Sequence, residues 1–525
     1  MDSRGTHVAA LVGAACVAAG CGPSKAIPGD VRPLRILEAE AQFVGNGVST
    51  CTHQTKPSAD GHRWCGFIRG AKPDAPAELW VIDVTLAAGG AVPPCDGTSD
   101  RCLRLTDKLP PRSAPLFGGD TLIYGTDAVS GPNEDFLGRM FAWRPGWSGG
   151  RQISSNLGFT CAGQQSSTAA VCLDDPEGDP TNRAGAQVRV GYLDGEQGGA
   201  LPAVGRWPLR NDNSTAWEAT FSPDGSLFAL SSAPGPGQKQ DLTVLRTGDA
   251  GSAKPVGTLA DVAYIRISND GRAIYFVRGL PDQADLYVAD FPSGAGARLL
   301  EAGILHYELI GERSQDQALG FVKDLGETKG EFKLLADRRQ ATPKSIFTYE
   351  DILDGAIVSP DLRYTAWLDF AFRGVVIRNA DLAACQMDLE EEPPVYEPVF
   401  LDHASLLFWK ETRPGDSSHR DGFFAAPDRC RPKTQFATDL DFVVPVGDRG
   451  IVFADEVDRM TDLKTLKYAM VAADGSRLDA RGPVLIHEGV DSSVVFVGPP
   501  SLLVYRAVGP SPESTGIFVY GPLPF

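Results

Sequence analysis

Short apolar runs alternate with turn-forming residues along the chain, and the stretch Phe221–Leu230, FSPDGSLFAL, carries the pattern in full. Ser222-Pro223-Asp224-Gly225 is turn chemistry: proline presets φ, aspartate bonds its own backbone, and glycine accepts a positive φ. Phe221 on one side and Leu227–Leu230 on the other read as strands, so the stretch predicts a β-hairpin. The arrangement returns at Ser268-Asn269-Asp270-Gly271 before Ala273–Val277, and at Ser359-Pro360-Asp361 before Tyr364–Leu368. Another copy, Ser58-Ala59-Asp60-Gly61, precedes Trp64–Ile68.

Turns of this kind fall near residues 60, 120, 165, 224, 270, 316, 361, 402, 448 and 499. Three or four short strands follow each, and no helical pattern of any length interrupts them. Among the later strands are Leu406–Trp409 and Leu466–Ala472, and Asp174–Asn182 reads as a polar loop. Four-stranded antiparallel sheets at this period predict an all-β chain, a β-propeller of about eight to ten units. Ten units in one ring, about eight with the third or sixth as an insertion, and two separate rings all stay open. The last unit lacks a clear fourth strand, and Pro33–Leu37 is a spare one. An unclosed ring exposes sheet edges, so this N-terminal strand is expected to complete the last blade.

The units resemble the WD40-like repeats of the TolB family, whose pattern is an apolar or aromatic residue, S-P-D-G and an alternating strand. Phe221–Leu230 matches fully, Ile267–Val277 has Asn269 in place of proline, and Val358–Leu368 has Leu362 in place of glycine. The separate N-terminal α/β domain of that family has no counterpart here. The resemblance implies a propeller in which Asp60, Asp224, Gly225, Asp270, Gly271 and Asp361 hold equivalent turns. Such carboxylates are spread around a ring and do not form a set for acid–base work.

The length of 525 residues exceeds an ordinary single-core domain, and a repeat fold escapes that limit because each unit packs on its neighbours. A net charge of −18 argues against binding nucleic acid or anionic lipid head groups through the surface field. The N-terminus reads as a targeting segment. Arg4 supplies a positive charge, and the apolar run His7–Ala19 is too short to span a bilayer well. Val17-Ala18-Ala19-Gly20-Cys21 resembles the lipobox of bacterial lipoproteins. That resemblance implies cleavage before Cys21, a lipid on its sulfur, and, with Gly22 where aspartate commonly signals inner-membrane retention, an outer-membrane address. The expected organisation is a signal peptide over 1–20, a lipidated tether over 21–32 and a propeller over 33–525.

Eight cysteines remain after Cys16 and Cys21, an even count that in an exported protein reads as disulfides. Eight cysteines allow on the order of a hundred connectivities. The local choice pairs Cys51 with Cys65, Cys95 with Cys102, Cys161 with Cys172, and Cys385 with Cys430. Cys51, His53, His62 and Cys65 also have the donor count of a tetrahedral zinc site, but the spacing and an oxidising compartment favour the disulfide.

Other candidate chemistry is weaker. Gly146-Trp147-Ser148-Gly149-Gly150 matches a nucleophile pattern that needs a strand and a following helix, and none follows. Asp174–Asp179 is rich in carboxylates without EF-hand spacing, and Glu390-Glu391-Glu392 reads as a solvated turn. Trp64, Trp80, Trp143, Trp367 and Trp409 lie on expected strands and read as packing between blades. No catalytic residue, cofactor or metal is expected. The sequence therefore points to a lipid-anchored, non-catalytic protein-interaction scaffold whose partners are envelope proteins. The alternative is a carbohydrate-binding or glycan-processing propeller that uses its central funnel.

Overall fold

The computed structural model describes residues 33–523 apart from internal stretches, the longer of which are 44–50, 52–61, 86–92, 176–186, 194–200, 207–218, 232–240, 311–317, 336–341, 387–395, 401–406 and 428–433. The leader, Cys21 and the tether lie outside the described residues, as do Asp60, His53, Cys430 and Glu390–Glu392.

Every strand pairing is antiparallel, and each strand pairs mainly with its neighbours in sequence. Four sheets have four strands each and hold one repeat unit apiece. Three larger sheets hold two units each, so the described residues contain ten units. Units 1 to 5 cover residues 42–109, 116–152, 157–206, 219–259 and 263–304. Units 6 to 9 cover 306–350, 357–386, 396–437 and 442–490, and unit 10 covers 494–520. Units 5 and 6 are fused through the long strand Arg298–Ile310, whose register breaks between Ile304 and His306. Units 9 and 10 are fused in the same way through Val484–Val497, with the break between Val490 and Val494.

Unit 10 takes its fourth strand from the other end of the chain. Leu34–Leu37 pairs with Gly516–Tyr520, with Leu34 opposite Val519 and Arg35 opposite Phe518. The spare N-terminal strand is placed as expected.

The second strand of each unit explains the packing. Ala273–Val277 is buried at every position, and its side chains divide by parity. Ala273, Tyr275 and Val277 join a cluster with Leu319 and Phe321 of unit 6, whereas Ile274 and Phe276 face Ala229 and Val244 of unit 4. Alternate side chains of a strand point to opposite faces, so each sheet is apolar on both sides and sandwiched between neighbours. Leu502 and Val504 face unit 1, while Leu503 and Tyr505 face unit 9. The described residues form ten such apolar clusters, each of which joins consecutive units. One of them joins the last unit and its borrowed strand to the first: Ile36, Leu37, Leu502, Val504, Ile517 and Val519 pack with Phe67, Trp80 and Ile82.

A polar clamp reinforces that contact. Arg69 of unit 1 pairs with Glu38, directly after the borrowed strand, and donates to the Cys95 carbonyl at 2.9 Å. Its guanidinium lies 4.7 Å from the centre of the Trp80 ring. Burial pushes the Glu38 carboxyl up, but the Arg69 hydrogen bond and charge outweigh it and hold the group below the usual range.

The recurring turn is built identically three times. In unit 4, Ser222 Oγ bonds Asp224 Oδ1 at 2.6 Å and accepts from the Leu227 amide at 3.0 Å. Asp224 Oδ1 also accepts from the Ser226 amide at 3.1 Å, and the Gly225 amide donates to the Ser222 carbonyl at 2.8 Å. Ser268 and Asp270 repeat every bond in unit 5, and Ser359 and Asp361 repeat them in unit 7. The residue after each aspartate is left-handed, with φ of 72° at Gly225, 64° at Gly271 and 60° at Leu362. The Ser222 hydrogen bond is the first of the contacts that hold the Asp224 carboxyl below its usual range.

Some boundaries move. The strand expected from Leu406 is Leu407–Arg413, and that expected at Leu466–Ala472 is Leu463–Met470. Asp174 and Asp175 close the strand Ala169–Asp175 instead of opening a loop, because Asp174 is neutralised by Arg189 on the adjacent strand.

Two outcomes test this packing. A Cβ at Gly225 would lie 1.9 Å from Ser167 Oγ, whereas one at Gly271 would meet nothing closer than Pro223 at 3.9 Å. Gly225→Ala should therefore lose about 2 kcal/mol or more, and Gly271→Ala about 1 kcal/mol from backbone strain alone, by equilibrium denaturation. Equal losses would contradict the close approach. Leu37→Ala, which hollows the contact between the chain ends, should cost about 2–4 kcal/mol, against a near-neutral change at the exposed Leu382.

Candidate functional site

The sequence-chosen residues are placed mostly in structural roles. Cys51–Cys65, Cys95–Cys102 and Cys161–Cys172 form disulfides, with Cα–Cα separations of 4.0, 5.1 and 4.1 Å. Cys385 is also disulfide-bonded. Disulfides persist in oxidising compartments and point to an extracytoplasmic location. Among the described residues, no helix is long and apolar enough to cross a membrane.

Cys51 and Cys65 are joined to each other, which leaves His62 of the four zinc candidates among the described residues. Its Nδ1 lies 2.7 Å from Oδ2 of Asp83, a carboxylate with no exposed surface. Arg101 approaches the same oxygen at 3.4 Å, and the Thr85 amide donates to Oδ1 at 3.0 Å. Next to it Arg63 is wholly buried. Burial lowers its pKa to about 10, against the opposing charge of Asp120 in unit 2. The Asp83 contacts hold the start of unit 1 to itself, and the Arg63–Asp120 attraction reaches unit 2.

Ser148 is exposed in the turn between Phe136–Trp143 and Arg151–Gln152. The turn is held by Trp143 Nε1 donating to the Trp147 carbonyl at 3.0 Å and by Arg151 stacked 3.9 Å from the Trp147 ring. It is a strand-to-strand connection and not a nucleophile elbow. Trp64 and Trp143 meet edge to face at 5.2 Å between units 1 and 2, and Trp80 packs at the contact between the chain ends. The side chains of Trp367 and Trp409 lie outside the described residues.

Two constellations had not been read from the sequence. The first recurs on the links between units. Asp241, Asp285 and Asp421 accept from the amides of Asp261, Gly303 and Asp439, each at 3.1 Å. All three donors are left-handed, with φ of 56°, 65° and 54°. The carboxylate thus caps the sharp bend by which the chain leaves one unit for the next. Its signal is an aspartate at the start of a third strand, as in Asp241-Leu242 and Asp285-Leu286.

The second is a cleft of about 440 Å³ on unit 9, lined by Arg449, Arg477, Arg481 and Asp479 over Met470 and Leu478. The turn Ala472–Leu478 builds it. The Ala472 amide donates to the Arg477 carbonyl at 2.9 Å, and Ser476 caps on Asp474 at 3.2 Å. The Asp479 amide returns to the Met470 carbonyl, and Val471 bonds the Arg449 carbonyl, both at 2.8 Å. Arg481 Nε donates to Asp479 Oδ2 at 2.8 Å, and this bond leads the contacts that hold the Asp479 carboxyl below its usual range. Tyr468, nearly without exposure, donates its hydroxyl to the Met470 sulfur at 2.9 Å, and burial pushes that hydroxyl up to about 12.

No protein-family model matches the chain, and no curated protein does. Among solved structures, a eukaryotic initiation factor superposes with a TM-score of 0.46 at 11% identity, over 84% of this chain and 96% of its own. The dihydro-heme d1 dehydrogenase NirN superposes with a TM-score of 0.31 at 15% identity, over 64% of this chain and 71% of its own. The fold stands on the strand pairing and the apolar clusters described above.

His487 gives a pH test of the contact between units 9 and 10. Its ring meets Phe518 at 4.7 Å, and Nδ1 lies 3.2 Å from the Tyr505 hydroxyl. Burial lowers its pKa from the ordinary 6.5, with the Glu488 charge opposing. The native state therefore holds the imidazole neutral. Its contribution is complete above about pH 6.5 and is lost as pH falls through the lowered native value. The thermal midpoint of His487→Gln should fall less than that of the parent between pH 7 and pH 5. Parallel curves would rule out a role for this ring.

Proposed function

We propose that the ten units close into a single propeller ring anchored by lipid at Cys21, and that the ring serves as a non-catalytic protein-interaction scaffold at the outer membrane of a bacterial envelope. The observation that carries the reading is that the repeat carboxylates are spent on structure. Asp224, Asp270 and Asp361 bond their own turns, and Asp241, Asp285 and Asp421 cap the links. What repeats in this chain is scaffolding, and the surfaces that vary between units are their loops.

The ring reading draws on the cluster that joins unit 10 to unit 1 and on the strand exchanged between the chain ends. The anchor fits it sterically. Eleven residues lie between Cys21 and Pro33, a tether that reaches about 40 Å when extended. A ring held this way stands clear of the head groups and leaves its loops accessible.

A glycan-binding alternative draws on Tyr264 and Arg266, both exposed on the first strand of unit 5, the strand that would line a central funnel. Aromatic faces beside a cation suit a sugar ring. The two readings separate in one experiment: mild cross-linking of envelopes that hold the full-length protein, with Cys21→Ala as control. A stoichiometric protein partner that is lost with the anchor supports the scaffold. No partner, together with glycan binding that Tyr264→Ala abolishes, overturns it in favour of the funnel.

A further inference from the structure

We propose that the arginine-rimmed cleft of unit 9 binds a short acidic segment of a partner protein, with Arg449 and Arg477 as its carboxylate receptors. The inference deepens the scaffold reading and rests on it for the partner's being a protein.

Three exposed arginines surround one small cleft in a chain of net charge −18. Arg481 is occupied by Asp479, its neighbour two residues away. Arg449 and Arg477 make no ion pair within 4 Å among the described residues; their charges act at longer range on Asp479 and Asp474, whose carboxylates are hydrogen-bonded to Arg481 and Ser476. Guanidinium groups are planar forks that match carboxylates bidentately, and such charge-assisted bonds are stronger than neutral ones. The backbone around them is pinned by the 471–482 turn bonds, so the forks project from a fixed base. Between the forks, Met470 and Leu478 supply apolar surface, which suits the methylene groups of glutamate better than a bare ion. The acidity of the whole chain selects the size of the ligand. On a chain with 67 acidic and 49 basic residues a long polyanion meets a net repulsive field, whereas a few adjacent carboxylates fit within the reach of the arginines.

The test uses the full-length protein in detergent and a fluorescein-labelled peptide, Gly-Glu-Glu-Leu-Glu-Gly, followed by anisotropy at physiological salt. Its all-glutamine counterpart and inorganic phosphate serve as competitors. The glutamate peptide should bind, the glutamine peptide should not compete, and phosphate should compete only weakly. The double variant Arg449→Gln/Arg477→Gln should lose at least tenfold in affinity with an unchanged thermal midpoint, while Arg139→Gln, an exposed arginine on unit 2, should bind as the parent does. No binding by the parent, equal binding by the double variant, or displacement by phosphate as effective as by the peptide overturns the proposal. The two readings fail separately. A cross-linked partner retained by the double variant removes the cleft and keeps the scaffold. Peptide binding without any envelope partner keeps the cleft as an acidic-peptide site and removes the scaffold.

Discussion

Burial of both faces of every sheet is the constraint on which the rest depends. A second strand such as Ala273–Val277 sends alternate side chains into two different clusters, so removing either neighbouring unit strips one face of its cover. Burial of apolar area is the main favourable term in folding, at about 25 cal/mol per Å², and no unit here secures it alone. A row of two-faced sheets must cover both of its end faces, by capping units or by contact with each other. The borrowed strand Leu34–Leu37 and the cluster around Ile36, Phe67 and Val504 are what such a row requires at its ends.

The turn follows from this demand. Two strands buried on both faces leave no room for a wandering connection, and their polar backbone must be satisfied at the turn itself. The serine does this from inside: Ser222, Ser268 and Ser359 are all buried, and each hydroxyl links an aspartate to an amide at the start of the next strand. Leu362 shows that the device outranks local preference. It occupies a left-handed conformation that glycine holds in the sister turns, and its side chain packs against the apolar cluster that holds Ile346 and Ile377 as it does so. The strain of that backbone is offset by hydrogen bonds common to all three turns and by an apolar contact that glycine could not make.

Much of this was legible in the sequence because two signals coincide in it. Turn residues are chemically specific, and the apolar runs Ala273–Val277 and Leu502–Tyr505 are too continuous for a half-exposed strand. The fourth strands were less legible. Gly257–Leu259, Ala384–Gln386 and Thr434–Ala437 are short and lie at sheet edges, where little burial selects apolar residues. The Asp174–Asp179 loop was misjudged at its start because carboxylates signal solvent only when no partner is at hand, and Arg189 sits on the next strand. The arginine cleft left no periodic trace, since its residues come from two separate turns of one unit. Asp474-Gly475 is the same turn chemistry met elsewhere, placed after a third strand instead of before a second.

The contact between chain ends differs from the other nine apolar clusters in one respect: no covalent link runs through it in sequence order. Elsewhere the chain itself keeps adjacent units at high effective concentration, whereas unit 10 must find unit 1 across the whole length of the fold, and closing so long a loop carries an entropic cost. Covalent and polar restraints gather at that place. Cys51, Cys65 and Cys102 belong to the cluster that joins the ends, and two of the three mapped disulfides lie within it. Arg69 binds at once to Glu38 beside the borrowed strand, to the carbonyl of Cys95 and to the face of Trp80. The two disulfides brace the face of unit 1 against which unit 10 packs, and Arg69 ties that face to the borrowed strand. The disulfides of the first unit thus bear on the contact between the first and last units, and the oxidising compartment in which such bonds persist bears on it with them.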